Sequence, residues 1–274
     1  MNSLKKIACL IAIMCVFCTC KKESPIDTVS VNGALSGEFS VAKNRIVHFS
    51  QGNLQHPDKN SWYFATNQWE CGDLFEWSYM IVDSDSVFVD WGQQPIINGG
   101  NKPNQWRTLT KDEWIYLFHG RSNAGYLFGF GKVNGINGVI ILPDNGAGMF
   151  EFNSAFKQGL EWTYNEWTYE EIKYQRYYYK NTTQSDLFSH NTFKGEKWHK
   201  MEEKGAVFLP AAGNFLLSEN SGQPIGTYGD YWSATIDNTA EYRTDSYCLD
   251  FHNGGLLPMC GGSWNYCFSV RLVQ

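Results

Sequence analysis

Six histidines stand at His48, His56, His119, His190, His199 and His252, and no two share the spacing of a metal-binding pair. The chain has neither an H-E-x-x-H helix nor a G-x-S-x-G elbow. Gly125 to Lys132 sets glycines before a lysine. That spacing is one residue too long for a phosphate-binding loop, and Val133 stands where a hydroxyl would hold the metal. Glu170-Glu171 and Glu202-Glu203 are adjacent acids that read as solvated helix faces. A glycosidase needs two carboxylates from separate elements, about 5–10 Å apart. The unusual feature is aromatic content, with 11 Trp, 15 Tyr and 18 Phe. After Tyr231 these rings mix with amides and acids: Asp237, Asn238, Tyr242, Asp245, Asn253, Trp264, Asn265 and Tyr266. Flat rings beside amides can stack on sugars and hydrogen-bond to them. The candidate ligand-binding residues are therefore Tyr242, Asn253, Trp264, Asn265 and Tyr266. Trp232 and Trp264 are expected to be buried, as strand aromatics usually are. Tyr242, Asn253 and Tyr266 are expected to emerge together on one exposed face. No catalytic residue, metal or cofactor is expected.

The chain has 274 residues, 43% hydrophobic and 18% charged, with a net charge of −6. Such a composition excludes intrinsic disorder. An acidic balance argues against nucleic acid as a partner, because nucleic-acid binding rests on a basic footprint.

Lys5 and Lys6 precede an apolar run from Ile7 to Phe17. The run is too short to span a bilayer and suits a secretory signal. It ends in Phe17-Cys18-Thr19-Cys20, followed by Lys21-Lys22-Glu23-Ser24. That arrangement resembles a bacterial lipobox. The resemblance implies cleavage before Cys20 and lipidation of its thiol, with the mature chain held in the cell envelope, at the outer membrane. Two acyl chains anchor where one does not. Removing residues 1–19 takes Lys5 and Lys6 and no acid, so the charge becomes −8. Residues 20–32 then form a tether, and 33–274 a single domain with an aromatic insertion at about 145–200. Cys71, Cys248, Cys260 and Cys267 remain beyond the lipidated cysteine. Cys260–Cys267 and Cys248–Cys267 are plausible disulfides; buried thiols are the alternative.

Several elements must position these residues. Thr110-Lys111-Asp112-Glu113 is a capping box, with Leu109 and Trp114 at the staple positions. Trp114, Leu117 and Phe118 share one face, predicting a helix over roughly 111–120. Thr168-Tyr169-Glu170-Glu171 reads as a second capping box, opening a helix to about Lys180. A third helix is expected near Lys197 to Lys204, closed by Gly205. Val139 to Leu142 and Ala206 to Leu209 are buried-strand runs, each stopped by a proline. Short strands are expected at Tyr231–Thr235, Ser246–Phe251 and Phe268–Val273, the last central and buried.

Trp106-Arg107-Thr108-Leu109-Thr110-Lys111-Asp112-Glu113-Trp114 resembles the W-R-L-P-T-x-x-E-W element of formylglycine-generating-enzyme-like and C-type-lectin-like domains. Gly229-Asp230-Tyr231-Trp232-Ser233-Ala234-Thr235 resembles the G-x-Y-W-S-S-T element of the Fibrobacter major paralogous domain. Gly261-Gly262-Ser263-Trp264 and Phe268-Ser269-Val270-Arg271-Leu272 resemble its closing G-G-S-W … G-F-R-L strand. Val47 to Gln55 is similar to the opening of secreted Bacteroidales lipoproteins. The resemblance implies an α+β, C-type-lectin-like domain: small antiparallel sheets, two or three short flanking helices and long irregular loops. The chain departs from the enzyme branch. Only Asn265-Tyr266-Cys267 separates Trp264 from Phe268, so the cysteine pair and arginine-rich stretch of that branch are absent. Gln94-Pro95-Ile96, Gln223-Pro224-Ile225 and Trp264-Asn265-Tyr266 lack the oxygen ligand that a calcium lectin needs at the third place.

The function expected is a non-catalytic recognition lipoprotein. It would bind a glycan or protein ligand at the cell surface through its C-terminal loops. Two other classes compete: an enzyme of formylglycine-generating or glycan-hydrolase type, marked by acids or cysteines clustered in a cleft, and a structural envelope or pilus-associated subunit, marked by a long unpaired edge strand.

Overall fold

Asn134-Gly135 joins two strands whose residues pair from Phe128↔Ile141 to Val133↔Ile136. Both turn residues have positive φ, 49° and 89°. This is the backbone that a two-residue hairpin with right-handed twist demands, and Asn-Gly supplies it at least cost. The computed structural model describes residues 30–58, 60–82, 85–146, 160–169, 172–237 and 245–274. Within them lie small, mostly antiparallel sheets and two short α-helices. The fold is therefore α+β and rich in sheet.

The largest sheet has five antiparallel strands in the order Leu160–Tyr169, Ile172–Asn181, Gly255–Ser263, Asp245–His252, Tyr228–Ile236. A four-stranded sheet contains both proline-stopped runs. Ile136–Ile141 and Val207–Pro210 pair antiparallel, with Val139 opposite Leu209. Phe128–Val133 lies on the other side of Ile136–Ile141, flanked in parallel by the short strand Thr192–Phe193.

The first helix, α1 (Lys111–Ile115), starts at the expected cap. Glu113 N–H donates to Thr110 Oγ1 at 3.3 Å, and Thr110 N–H donates to Glu113 Oε2 at 2.9 Å. The chain then widens into a π-turn over Tyr116–Gly120. Trp114, Leu117 and Phe118 are buried, as the spacing predicts. The second helix, α2 (Glu196–Glu203), ends at Gly205, whose φ is +87°. Gly205 N–H bonds Glu202 C=O and Ala206 N–H bonds Met201 C=O, which satisfies the last carbonyls.

The helix expected from Thr168 to Lys180 does not form. Leu160–Tyr169 and Ile172–Asn181 pair instead as a long hairpin, with Tyr169 opposite Ile172. Trp, Tyr and Thr dominate this segment, and these residues favour strands. Only the base of the hairpin joins the sheet, where Tyr179 pairs with Leu256 and Lys180 with Gly255. Trp162 secures that base by stacking on His119 at 4.0 Å.

The closing segment is buried but is not one strand. Tyr266–Phe268 pairs with Phe215–Leu216 and Phe75–Glu76, whereas Leu272–Val273 pairs with Arg107–Thr108. Between them Ser269 bridges Tyr231 and donates its N–H to Asp230 C=O at 2.9 Å. The segment changes partners along its length, so no one ladder runs through it.

Two aromatic clusters lie on opposite faces of the five-stranded sheet. Period-two alternation sends Tyr231, Leu249, Phe251 and Leu256 into one, with Phe49, Trp114 and Phe128. It sends Trp232, Cys248 and Cys260 into the other, with Trp77 and Phe268.

Candidate functional site

The second face carries the most chemistry. Asp230 and Asp250 are register partners on neighbouring strands, and Tyr228 sits opposite His252. Cys248 lies opposite Trp232 on one side and Cys260 on the other. Two-residue alternation therefore puts Tyr228, Asp230, Cys248, Asp250, His252 and Cys260 on one face. Pro258 and Met259 fall where the pairing slips between Cys248 and Asp250. A proline cannot donate to the ladder, so a bulge here is expected, and it re-aims the flanking side chains.

The segment from Asn214 to Gln223 and the strand Tyr266–Phe268 wall this face into a cavity of about 400 Å³. Gly222 lets the wall fold closely: a Cβ there would lie 2.0 Å from Asn214 C=O. Among the described residues the lining holds Asp230, Asp250 and Glu219 but no Lys or Arg. Tyr228, Tyr266 and Phe268 supply the rings.

Asp230 is the electrostatic centre. Burial pushes its carboxyl up to about 6, against the lowering effect of hydrogen bonds with Asn214 and Asp250. Asn214 Nδ2 donates to Asp230 Oδ2 at 2.8 Å. The orientation of that amide is fixed, because Gln223 N–H donates to its Oδ1 at 3.0 Å. His252 Nδ1 accepts from Gly254 N–H at 2.9 Å, so the neutral ring carries its proton on Nε2. That Nε2 stands 3.7 Å from Asp250 Oδ1. Burial lowers the His252 pKa and raises that of Tyr228, whose ring stacks on His252 at 4.7 Å. The hydrogen bond to Cys260 and burial together raise the Cys248 thiol well above its ordinary value.

Carboxyls joined by a hydrogen bond share a proton, and they lie closer than the roughly 5 Å that the tighter glycosidase geometry needs. A buried thiol with a raised pKa is a poor nucleophile.

The expected binding residues do not converge. Tyr266 lines the cavity and is half-buried. Asn265 is exposed on the preceding turn, its carbonyl accepting from Leu217 N–H at 3.0 Å. Trp264 is half-buried rather than fully buried, stacked on Trp77 at 5.0 Å. Asn253 lies on the turn at the far end of strand Gly255–Ser263, some 25–30 Å away at about 3.3 Å per residue. Its amide oxygen accepts from Leu187 N–H at 2.7 Å, which is a structural task. The proposed common face is corrected accordingly: a nine-residue strand separates its parts. Tyr242 and Cys20 lie outside the described residues.

Asp230, Asp250 and Asn214 escaped the sequence reading. A signal existed for two of them, since Asp230 precedes Tyr231-Trp232 and Asp250 interrupts Cys248-Leu249-Asp250-Phe251. A carboxylate in a buried strand needs a partner or a purpose.

The disulfides expected to Cys267 are not present; Cys71, Cys248, Cys260 and Cys267 are thiols. Tyr266 and Phe268 face the cavity, so alternation turns Cys267 the other way. No helix among the described residues is long and apolar enough to cross a membrane. Comparison with known protein families, characterised proteins and solved structures gives no match.

Proposed function

We propose that the chain is a non-catalytic recognition lipoprotein, anchored in the cell envelope through Cys20, whose C-type-lectin-like domain binds a glycan. The observation that carries this reading is the cavity. It combines buried carboxyl acceptors, a fixed amide and tyrosine rings, the groups that take the hydroxyls and apolar face of a sugar. Three acids and no base in the lining disfavour an anionic ligand and suit a neutral one. The volume of about 400 Å³ falls at the small end of ligand sites and fits one or two sugar rings. The motifs from Trp106 to Leu272 support the lectin-like assignment by resemblance, and the lipobox supports the anchor.

A glycan array probed with the full chain in detergent tests the reading. Binding to neutral glycans is expected, and Tyr228→Ala should abolish it while the protein remains folded. A folded protein that binds no glycan, or a Tyr228→Ala variant that binds normally, would overturn it; capture of a protein ligand by the same cavity would also move the ligand class away from sugar.

One observation favours a second reading, an envelope assembly subunit. Leu160–Tyr169 is a ten-residue edge strand whose outer side pairs with no strand among the described residues. Such an edge can accept a strand from another chain. Exposed Glu161 and Glu166 weaken that use, because charges on an edge discourage pairing.

A further inference from the structure

We propose that Cys248 and Cys260 are a cross-strand redox pair that closes into a disulfide at the floor of the cavity, while Cys71 and Cys267 stay thiols. The two residues are direct register partners on antiparallel strands. Directly opposed residues have Cα atoms roughly 4.5 or 5.5 Å apart, inside the roughly 4.4–6.8 Å that a disulfide bridges. The two residues already touch, with Cys248 Sγ donating to the Cys260 carbonyl oxygen at 3.3 Å. The strand register itself sets the two side chains opposite each other on one face.

Access is as important as proximity. Cys248 is buried, whereas Cys260 is half-exposed and, like Cys248, borders the cavity. A small disulfide donor entering the cavity meets Cys260 first. The Cys260 thiolate attacks one donor sulfur, forming a mixed disulfide and releasing one donor thiol. In the mixed disulfide the two sulfurs are held side by side, so the Cys248 thiol, a poor nucleophile toward a free substrate, attacks the Cys260 sulfur as its proton passes to the departing donor thiolate, forming the protein disulfide and releasing the second donor thiol. The protein loses two electrons and the protons of two thiols, and the donor disulfide is reduced to two thiols.

The other cysteines are excluded by direction. Cys267 points to the opposite side of its strand from Tyr266 and Phe268. The Cys71 carbonyl accepts from Asn53 Nδ2, the amide that also bonds Tyr231 Oη, and Tyr231 belongs to the opposite face of the sheet.

The test uses the full chain, purified reduced and incubated with oxidised glutathione. Alkylation then traps remaining thiols, and chymotrypsin cuts after Phe251 and Tyr266 to separate the four cysteines. The expected product is a peptide pair joining Cys248 to Cys260, lighter by two hydrogens, with Cys71 and Cys267 alkylated. Oxidation should also raise the melting temperature, since the bond ties two strands of the sheet. Full alkylation of all four cysteines after oxidation would overturn the proposal, and so would any link to Cys71 or Cys267. Cys260→Ser should abolish both the link and the upward shift; a shift that survives in this variant would equally overturn it. The linkage is read by mass and not by sugar binding, so its failure and that of the glycan reading remain distinguishable.

Discussion

Glu113→Gln isolates the charge at the junction that seats α1 on the cavity sheet. Glu113 Oε2 and Oε1 accept from Arg107 Nη1 and Nη2 at 2.7 and 2.8 Å, and Oε1 accepts from Arg45 Nη1 at 3.1 Å. The same carboxylate closes the capping box on Thr110. Its side chain is only 5% exposed, against 35% for Arg107 and 63% for Arg45. The Arg45 contact therefore contributes less than about 1 kcal/mol. The forked Arg107 pair is the stronger one, at about 1.5–3 kcal/mol for a hydrogen bond to a charged group. Glutamine keeps an acceptor for Thr110 N–H but turns an amide donor toward a guanidinium. The expected loss is about 2–4 kcal/mol, or roughly 6–12 °C in Tm for a domain of this size. Thr110→Ala, which removes only the cap, should cost about 1 kcal/mol. Urea midpoints of wild type, both single variants and the double variant measure the terms and their coupling.

The pH dependence of Glu113 sharpens the test. Burial raises its pKa, but hydrogen bonds from Arg107, Thr110 N–H and Arg45 outweigh burial and hold it below the ordinary value. A lowered folded pKa gives stability that is complete above the unfolded value of about 4.3. That stability is lost as pH falls through the folded value. Wild type and Glu113→Gln should therefore differ at neutral pH and converge in acid. A Glu113→Gln midpoint matching wild type at pH 7, or a difference unchanged at low pH, would refute the assigned role of the charge.

Asp230→Asn should act in the opposite sense. The raised folded pKa of about 6 stabilises the protein below the ordinary aspartate pKa, and that advantage disappears as pH rises through 6. The variant should flatten this fall in denaturation midpoint, and parallel wild-type and variant curves would contradict the assignment. Asn253→Ala should cost about 1–2 kcal/mol, because Leu187 N–H loses its acceptor; an unchanged thermal midpoint would show that the turn does not depend on it. Mass spectrometry of the mature N-terminus should show acylated Cys20, and an unmodified peptide running upstream through Cys18 would reject lipidation.

What could be read from the sequence was local. Thr110 and Glu113 are three residues apart, and the cap they form needs nothing from elsewhere in the chain. Gly205 ends α2 by the same local logic. Thr168-x-x-Glu171 has the same spelling as the first box, yet a helical stripe of apolar residues does not follow it. The run of Tyr, Trp and Thr around it favoured strands, and tertiary pairing with Gly255 and Leu256 fixed that outcome. The cavity was illegible for a different reason. Asp230 and Asp250 are twenty residues apart in sequence, and only strand register makes them neighbours. Asn253 and Asn265 are closer in sequence than those two aspartates, and the intervening strand drives them apart.

Arg271 shows why the motifs that carry the family resemblance describe the scaffold more than the site. The residue is 1% exposed, and burial lowers its pKa to about 10 despite the opposing effects of Tyr231 and Glu202. Nη2 donates to Gln68 Oε1 at 3.0 Å, Gln68 Nε2 donates to Glu202 Oε1 at 2.9 Å, and Phe208 N–H donates to the same Gln68 oxygen at 2.7 Å. Arg271 and Glu202 are thus linked through an amide, which joins the closing segment to α2 and to the proline-stopped strand Val207–Pro210. The network fixes the relative placement of three segments, because each of its hydrogen bonds joins side chains or backbone from different parts of the chain. Arg107 and Glu113 do the same for α1, and Trp232 Nε1 does it for the strand Phe75–Glu76 by donating to Phe75 C=O at 2.6 Å. Asp230 lies inside the same motif as Trp232, two residues away and on the same face, but it points to the cavity rather than to the aromatic packing. A motif here therefore locates the strands, and the side chains open to a ligand are those among them left facing the cavity.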